Sequence, residues 1–382
     1  MSDWRKVTLN QMGHISRGRS KHRPRNDARL FGGPYPFIQT GDIGSAGLYV
    51  TGYNQTYNED GLAQSKLWEK DTLCITIAAN IADTALLAFP ACFPDSIMGF
   101  TPFYDVANVK FVKYCFDVLQ RDCKQISQGT AQDNLSWEKL STILFPCPPI
   151  EVQNQIATIL SRYDSLIENY QKQIKLLEES AQRFYKEWFI DLRFPGHGNT
   201  KIVDGIPEGW EKKKVGDLIS KVRRTKQVSA NNYLNYGCIP VIDQSRNYIA
   251  GYTNDIDSLV EVTIPYIVFG DHTRVLKYVP FSFAKGADGT QLIMSNDLER
   301  MPQSLFYNSL IEIDLSNYSY ARHFKYLKEE SILVPPKDIA QRYDKVVSQY
   351  CQSIQKNREQ IRHLTEARDR LLPKLMSGEI EV

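Results

Sequence analysis

Between Pro149 and Pro195 the chain contains neither proline nor glycine, and its apolar or small residues recur with a heptad rhythm. Val152, Ile156, Ile159, Tyr163, Leu166, Tyr170, Ile174, Leu177, Ala181, Phe184 and Trp188 alternate steps of four and three, with one extra step of four at Tyr170–Ile174. Gln, Asn, Glu, Lys, Arg and Ser fill the positions between them. Such a seam predicts one long helix that buries a narrow stripe against another helix, with a stutter where the extra step falls.

A second copy of the pattern supplies the partner. At one constant offset, Pro148-Pro149 falls on Pro335-Pro336, and the seam falls on Ile339, Tyr343, Val346, Tyr350, Ser353, Asn357, Ile361, Leu364, Arg368, Leu371 and Leu375. The stutter recurs at Asn357–Ile361. Ser353, Asn357 and Arg368 weaken the apolar seam, and Ile354 offers a substitute for Ser353. This is an internal repeat with a period of nearly half the chain. The first helix leaves the first half and the second returns from the second half, so helices that pair must run antiparallel. Each is about 40 residues, on the order of 60 Å long. The expected fold is α+β: two globular α/β domains separated by two long antiparallel helices forming a coiled coil, a pseudo-two-fold internal repeat with a domain at each end of the spacer.

The expected boundaries are 1–149 for the first domain, 150–192 for the central helical spacer, 193–336 for the second domain and 337–382 for the C-terminal helix and tail. The linker Arg193–Thr200, with one proline and two glycines, stops the first helix. The halves then run in parallel: Trp4 answers to Trp210, Tyr35–Asp42 to Cys238–Asp243, and Thr72–Ile77 to Val262–Phe269. Thr72–Ile77, Leu86–Phe89 and Val109–Tyr114 are of strand length and composition.

Composition narrows the function. A formal net charge of only +2 excludes a general polyanion binder, so any nucleic-acid surface is local. No run approaches a membrane span, and the N-terminus has no apolar signal region. Seven scattered cysteines without a CxxC pair suit unpaired thiols in a reducing cytoplasm.

The strongest local signal is basic. In SRGRSKHRPRNDARL, Arg17, Arg19, Lys21, Arg23, Arg25 and Arg29 face a single acid, Asp27, in a stretch that glycine, proline and serine keep from being helical. The second half repeats this with Lys212–Lys214, Lys221, Arg223, Arg224 and Lys226. An isolated charge run is usually solvated surface; its recurrence at corresponding places in both halves favours phosphate contact. Nearby loops offer polar side chains of the kind that read base edges: Gln39, Thr40, Gln132, Asn134, Asp243, Gln244, Arg274 and Gln291.

Signatures of catalysis are sparse. The sequence contains no G-x-x-x-x-G-K-[ST], no H-E-x-x-H, no methyltransferase-like Asn-Pro-Pro-Tyr and no clustered Cys/His ligands. Six dispersed histidines suggest no metal centre. One formal match remains: Pro94-Asp95 with Asp122-Cys123-Lys124 fits a P-D…D-x-K Mg²⁺-nuclease pattern. That site needs D-x-K on a strand, whereas Asp117–Lys124 reads as an amphipathic helical turn. A stand-alone Mg²⁺-dependent nuclease and a protein-only coiled-coil scaffold are the alternatives.

Several stretches resemble the specificity (S) subunits of type I restriction–modification enzymes. They are Gly129–Leu135 (GTAQDNL), Pro148-Pro149 with Glu151 and Gln153, Phe184–Pro195 (FYKEWFIDLRFP) and Arg370–Ile380 (RLLPKLMSGEI). The second half departs at Lys337–Gln341, where the glutamine is shifted by one, and at Asn317–Arg322, which replaces the Gly-Thr-Ala-Gln loop. The resemblance spans the chain and implies two target-recognition domains, each reading half of a bipartite double-stranded DNA target, and no catalysis of its own. It implies as partners two methyltransferase (M) subunits carrying S-adenosylmethionine for adenine methylation, and restriction (R) subunits using ATP and Mg²⁺ for cleavage. No cofactor or metal is expected in this chain, and its expected location is the cytoplasm.

Overall fold

The computed structural model describes residues 4–77, 83–126, 137–223, 225–286, 288–318 and 322–382; residues 121–126 and 137–139 are described by their backbone alone. The chain divides into two compact units, one of residues 1–170 with 360–382 and the other of residues 171–359. Each contains a mixed α/β body and a stretch of both long helices, Ile150–Tyr185 and Lys337–Met376.

Both units are closed by the same clasp. In the first, the strand Arg5–Thr8 after Trp4 pairs antiparallel with Leu144–Cys147, in the register Arg5↔Cys147. In the second, Glu211–Lys214 after Trp210 pairs with Ser331–Val334, in the register Glu211↔Val334. Each time the residue after the tryptophan faces the residue before the double proline. Proline cannot continue a ladder but suits the first turn of a helix, so the long helix starts where the clasp ends.

The carbonyl of the first proline is tethered differently in the two units. In the first, buried Gln153 donates from Nε2 to Pro148 O and Val106 O, both at 2.9 Å, and its Oε1 accepts from Asn108 N at 3.0 Å. The repeat aligns Gln153 with buried Ala340. There Arg300 substitutes, donating from Nε to Pro335 O at 3.0 Å and pairing with Glu211. Hydrogen bonds from Lys213 and Arg300 hold the Glu211 carboxyl down at about 2.

Inside the first clasp lie a five-stranded sheet, in the order 13–17, 97–102, 73–76, 84–87, 49–50, and a four-stranded sheet, 55–57, 31–37, 91–92, 67–68. Val109–Tyr114 is not a strand. It begins the helix Val109–Ile126, because Asn108 Oδ1 caps the backbone N–H groups of Lys110 and Phe111 at 2.9 and 3.2 Å. Phe111, Val112, Cys115 and Phe116 then share one buried face. The second clasp holds a four-stranded sheet, 251–253, 239–242, 283–285, 259–260, and a three-stranded one, 276–279, 266–270, 290–293.

The two long helices run antiparallel within each unit. In the first, Arg368 Nη1 donates to Asp164 Oδ1 at 2.6 Å, and Tyr114 Oη donates to Asp164 Oδ2 at 2.5 Å. Leu372, Leu375 and Met376 join Ile156, Leu160, Phe111 and Phe145 in one core. In the second, Arg358 pairs with Glu178 at 2.9 Å and Asn357 Nδ2 donates to Gln173 Oε1 at 3.2 Å. Phe184 stacks on Tyr343 with ring centres 5.3 Å apart. Ser353 is exposed and Ile354 is buried, so the isoleucine takes the seam position.

The heptad stripe is narrower than the buried face. Leu166 is 45% exposed, whereas Gln153, Ala157, Leu160 and Asp164, one step off the seam, are buried because the helix also covers the α/β body. The α-helix ends earlier than Leu192. After Tyr185 a π-turn, Lys186–Ile190, leads to Leu192 at φ 55°. Phe189 thereby stacks on Tyr185 at 5.0 Å and buries beside Trp210.

Gln153→Ala strips the partners from Asn108 N, Val106 O and Pro148 O. In chemical denaturation the unit that contains it should lose about 2–4 kcal/mol. Arg370→Ala, which breaks the exposed pair with Glu366, should cost less than about 0.5 kcal/mol.

Candidate nucleic-acid interface

In the first unit the basic stretch and the Gln39 segment hang from consecutive backbone groups. Arg19 N donates to Phe93 O at 3.0 Å, and Ile38 N donates to Cys92 O at 2.8 Å. The approach is tight: a Cβ on Gly18 would lie 2.5 Å from Phe93 O. Arg19 O accepts from Ser65 Oγ at 2.8 Å. The backbone is thus pinned, while the side chains of Arg17, Arg19 and Lys21 are exposed and form no ion pair among the described residues.

The rest of the basic run is occupied. Arg23 donates from Nη1 to the carbonyls of Ser20 and His22 at 2.7 and 2.8 Å. Arg25 grips Asp95, with Nη2 at 2.7 and 3.0 Å from its two oxygens. Arg29 grips Asp27, whose carboxyl is held well below the usual range by Arg29 first and by His22 as well. The loop therefore has a second acid, Asp95, which the linear reading could not place there.

Asp95 is also the first carboxylate of the P-D…D-x-K match. Here it partners an arginine, and Asp122 and Lys124 lie on the helix Val109–Ile126 rather than on a strand. Among the described residues no group of three or more His, Cys, Asp and Glu is placed to hold a metal ion.

Gln39 is exposed and donates from Nε2 to Gln55 Oε1 at 2.6 Å. Asp42 steadies the pair by accepting from Gln39 N at 2.8 Å and from Asn54 Nδ2 at 3.2 Å. Thr40 opens the short helix Thr40–Gly44 and is half-buried. Gln132 and Asn134, with the Gly129–Leu135 loop, lie outside the described residues, as does Arg224.

In the second unit Lys221 and Arg223 are exposed and form no ion pair among the described residues. Lys226 pairs with Asp255 at 2.7 Å, which raises the lysine and lowers the carboxyl. Gln291 is half-buried on the strand Thr290–Ile293, opposite Phe269. Arg274 is exposed at φ 61° and donates from Nη1 to Leu315 O at 3.1 Å. Gln244 is committed to backbone, donating to Asp288 O at 2.9 Å and accepting from His272 N at 3.1 Å.

Asp243 accepts from Ser245 N and Oγ at 2.9 and 2.6 Å. Behind it the buried Lys277 donates to Asn247 O at 2.5 Å, with Nζ 3.7 Å from Asp243. Burial outweighs Asp243 and pulls Lys277 down to about 8. The two units thus carry exposed cations beside anchored amides, built from different residues. Sequence reasoning missed the long-range acids Asp95 and Asp255. It also missed Tyr104 and Tyr236, 91% and 85% exposed, whose aromatic character alone does not distinguish them from core residues.

The comparisons bear directly on this arrangement. The family model for the type I restriction modification DNA specificity domain matches residues 1–179. The MjaIX type I restriction enzyme specificity subunit of Methanocaldococcus jannaschii is 26% identical over all of this chain and 94% of its own length. Residues 1–179 thus match a type I DNA specificity domain, and the chain along its whole length is similar to a type I specificity subunit. A shorter match, 29% identical over 25% of this chain, joins it to 24% of the EcoR124I/EcoR124II specificity subunit of Escherichia coli. Its fold is that of the solved S subunit from M. genitalium, with a TM-score of 0.61 and 16% identity over 98% of this chain and 96% of the other. No helix among the described residues is long and apolar enough to cross a membrane.

The depressed Lys277 predicts a pH effect on stability. Between about pH 8 and the ordinary lysine value of 10.5, the folded chain releases a proton that the unfolded chain keeps. Stability from this group therefore rises with pH across that window. Denaturation of the parent and of Lys277→Met at pH 7.5 and pH 10 should show the difference between them shifting in the parent's favour at pH 10.

Proposed function

We propose that the chain is the non-catalytic DNA-reading subunit of a type I restriction–modification complex, each globular domain reading one half of a bipartite duplex target. The observation that carries this reading is the repeated clasp, Trp4 with 144–147 and Trp210 with 331–334, enclosing two differently built polar surfaces. A shared frame with divergent exposed amides and cations is what two half-site readers on one scaffold require. The names of the relatives support it.

In this reading the free cations Arg17, Arg19, Lys21, Lys221 and Arg223 touch phosphate and set register, while amides such as Gln39 and Gln55 face base edges. Two methyltransferase subunits carry S-adenosylmethionine and methylate adenine; each must extrude its target base while the reader holds the duplex. Restriction subunits with ATP and Mg²⁺ cleave. The repeated helices engage two copies of one partner, and the complex works on DNA in the cytoplasm.

Two measurements test the reading. The chain assembled with its methyltransferase should bind duplex DNA in a salt-sensitive way; a protein-only scaffold would not. Replacing Arg17, Arg19 and Lys21 with alanine should lower the salt slope by roughly one per lost phosphate contact and leave the methylated motif unchanged. An unaltered slope removes those residues from the interface.

Exchanging residues 1–147 for those of a relative, joined at Pro148-Pro149, should give a hybrid motif with one new half-site and one old. The junction leaves every seam residue in place. Methylation-aware sequencing reads the outcome, and a change in both half-sites contradicts one-domain, one-half-site reading.

A further inference from the structure

The turn joining the strands Tyr266–Gly270 and Leu276–Val279 is locked from beneath by three other parts of the second unit. Asp271 is buried; its backbone N–H donates to Gly289 O at 2.7 Å, and its carboxylate accepts from Phe324 N at 2.8 Å. Gln244 takes His272 N on its Oε1 and donates its Nε2 to Asp288 O. Thr273 Oγ1 donates to Gln244 O at 2.6 Å.

The packing leaves no slack. A Cβ on Gly289, at φ 84°, would lie 2.7 Å from Gln244 Nε2 and 2.8 Å from His272 Cδ2. A Cβ on Gly270 would collide with Thr273 Oγ1. Above this base the His272 imidazole is exposed and makes no hydrogen bond among the described residues. Arg274 beside it spends one N–H on Leu315 O and keeps the rest of its guanidinium fork.

We infer that His272 is a specificity-determining residue for the half-site read by the second unit, donating from its ring to an acceptor on a base edge. This rests on the function proposed above. Direct readout rewards a short side chain whose backbone is already fixed, because no ordering cost is left to be met on binding. An imidazole N–H matches the N7 and O6 acceptors that purines present in the major groove. Arg274, next in the turn but one, has donors left for a phosphate. Gln244 is a positioning residue, since its amide is consumed by His272 N and Asp288 O.

The test uses the chain assembled with its methyltransferase subunits, with modified motifs read by sequencing and duplex affinity measured across a salt series. His272→Ala should relax base preference at one position of a single half-site. It should weaken cognate binding about tenfold, with non-specific affinity and salt slope unchanged. His272→Gln, which keeps a donor, should recover part of the preference. Gln244→Glu, which keeps the acceptor for His272 N but loses the donor to Asp288 O, should give an intermediate loss.

A parent that is specific and a His272→Ala complex with the same preference at every position overturn the assignment and leave the functional reading intact. Relaxation of both half-sites together overturns it too. A parent complex without any base preference overturns the functional reading, and the assignment falls with it. Thermal unfolding of His272→Ala at the parent's temperature separates lost readout from lost folding.

Discussion

The clasp between the strand that opens each unit and the strand that closes it is what the rest of the structure depends on. Backbone pairing brings residue 5 to residue 147 and residue 211 to residue 334, and fixes where each long helix begins. A helix with a narrow apolar stripe gains stability only if that stripe meets a partner in register. Setting both starting points by ladder hydrogen bonds, then terminating the ladder with two prolines, sets that register without asking anything of the loops between. The loops are therefore free to differ. The two units have used that freedom, with different sheet orders inside identical clasps.

Polar residues at the helix seam do more than weaken it. Arg368 looks like a defect in the apolar pattern, yet it meets Asp164, which also takes the hydroxyl of Tyr114 from the α/β body. Arg358 meets Glu178 and covers the Tyr248 ring at 3.7 Å. In each unit an arginine of the second helix thus fixes the first helix; Arg358 also touches the body, at Tyr248, whereas Arg368 is joined to it through Asp164 and Tyr114. An apolar stripe alone tolerates sliding by a heptad; a charge that must find one carboxylate does not. Asp164 is 9% exposed, so any sliding would leave an uncompensated buried carboxylate.

Much of the frame was legible because helices write their contacts locally. The seam spacing, the double prolines, the paired tryptophans and the substitution of Ile354 for Ser353 are all readable within a few turns. Val109–Tyr114 misled because its β-branched and aromatic residues outweighed the Asn108 cap, though Phe111, Val112, Cys115 and Phe116 carry helical spacing. The polar surfaces were legible only in part. The basic run could be seen, but whether a given arginine is free depends on acids distant in sequence. Arg25 is bound by Asp95 and Lys226 by Asp255, while Arg19 and Lys21 form no ion pair among the described residues. No periodicity encodes such pairings.

That division separates side chains that shape the surface from those able to touch a ligand. Arg23, Arg25, Gln244 and Asp243 have hydrogen-bonding capacity committed to neighbouring loop groups. Arg17, Arg19, Lys21, Lys221 and Arg223 have no such ties among the described residues, and the backbone at Arg19 and Lys21 is held by Phe93 O and Gln64 O. A surface organised this way can change one exposed side chain and leave the supporting hydrogen bonds in place.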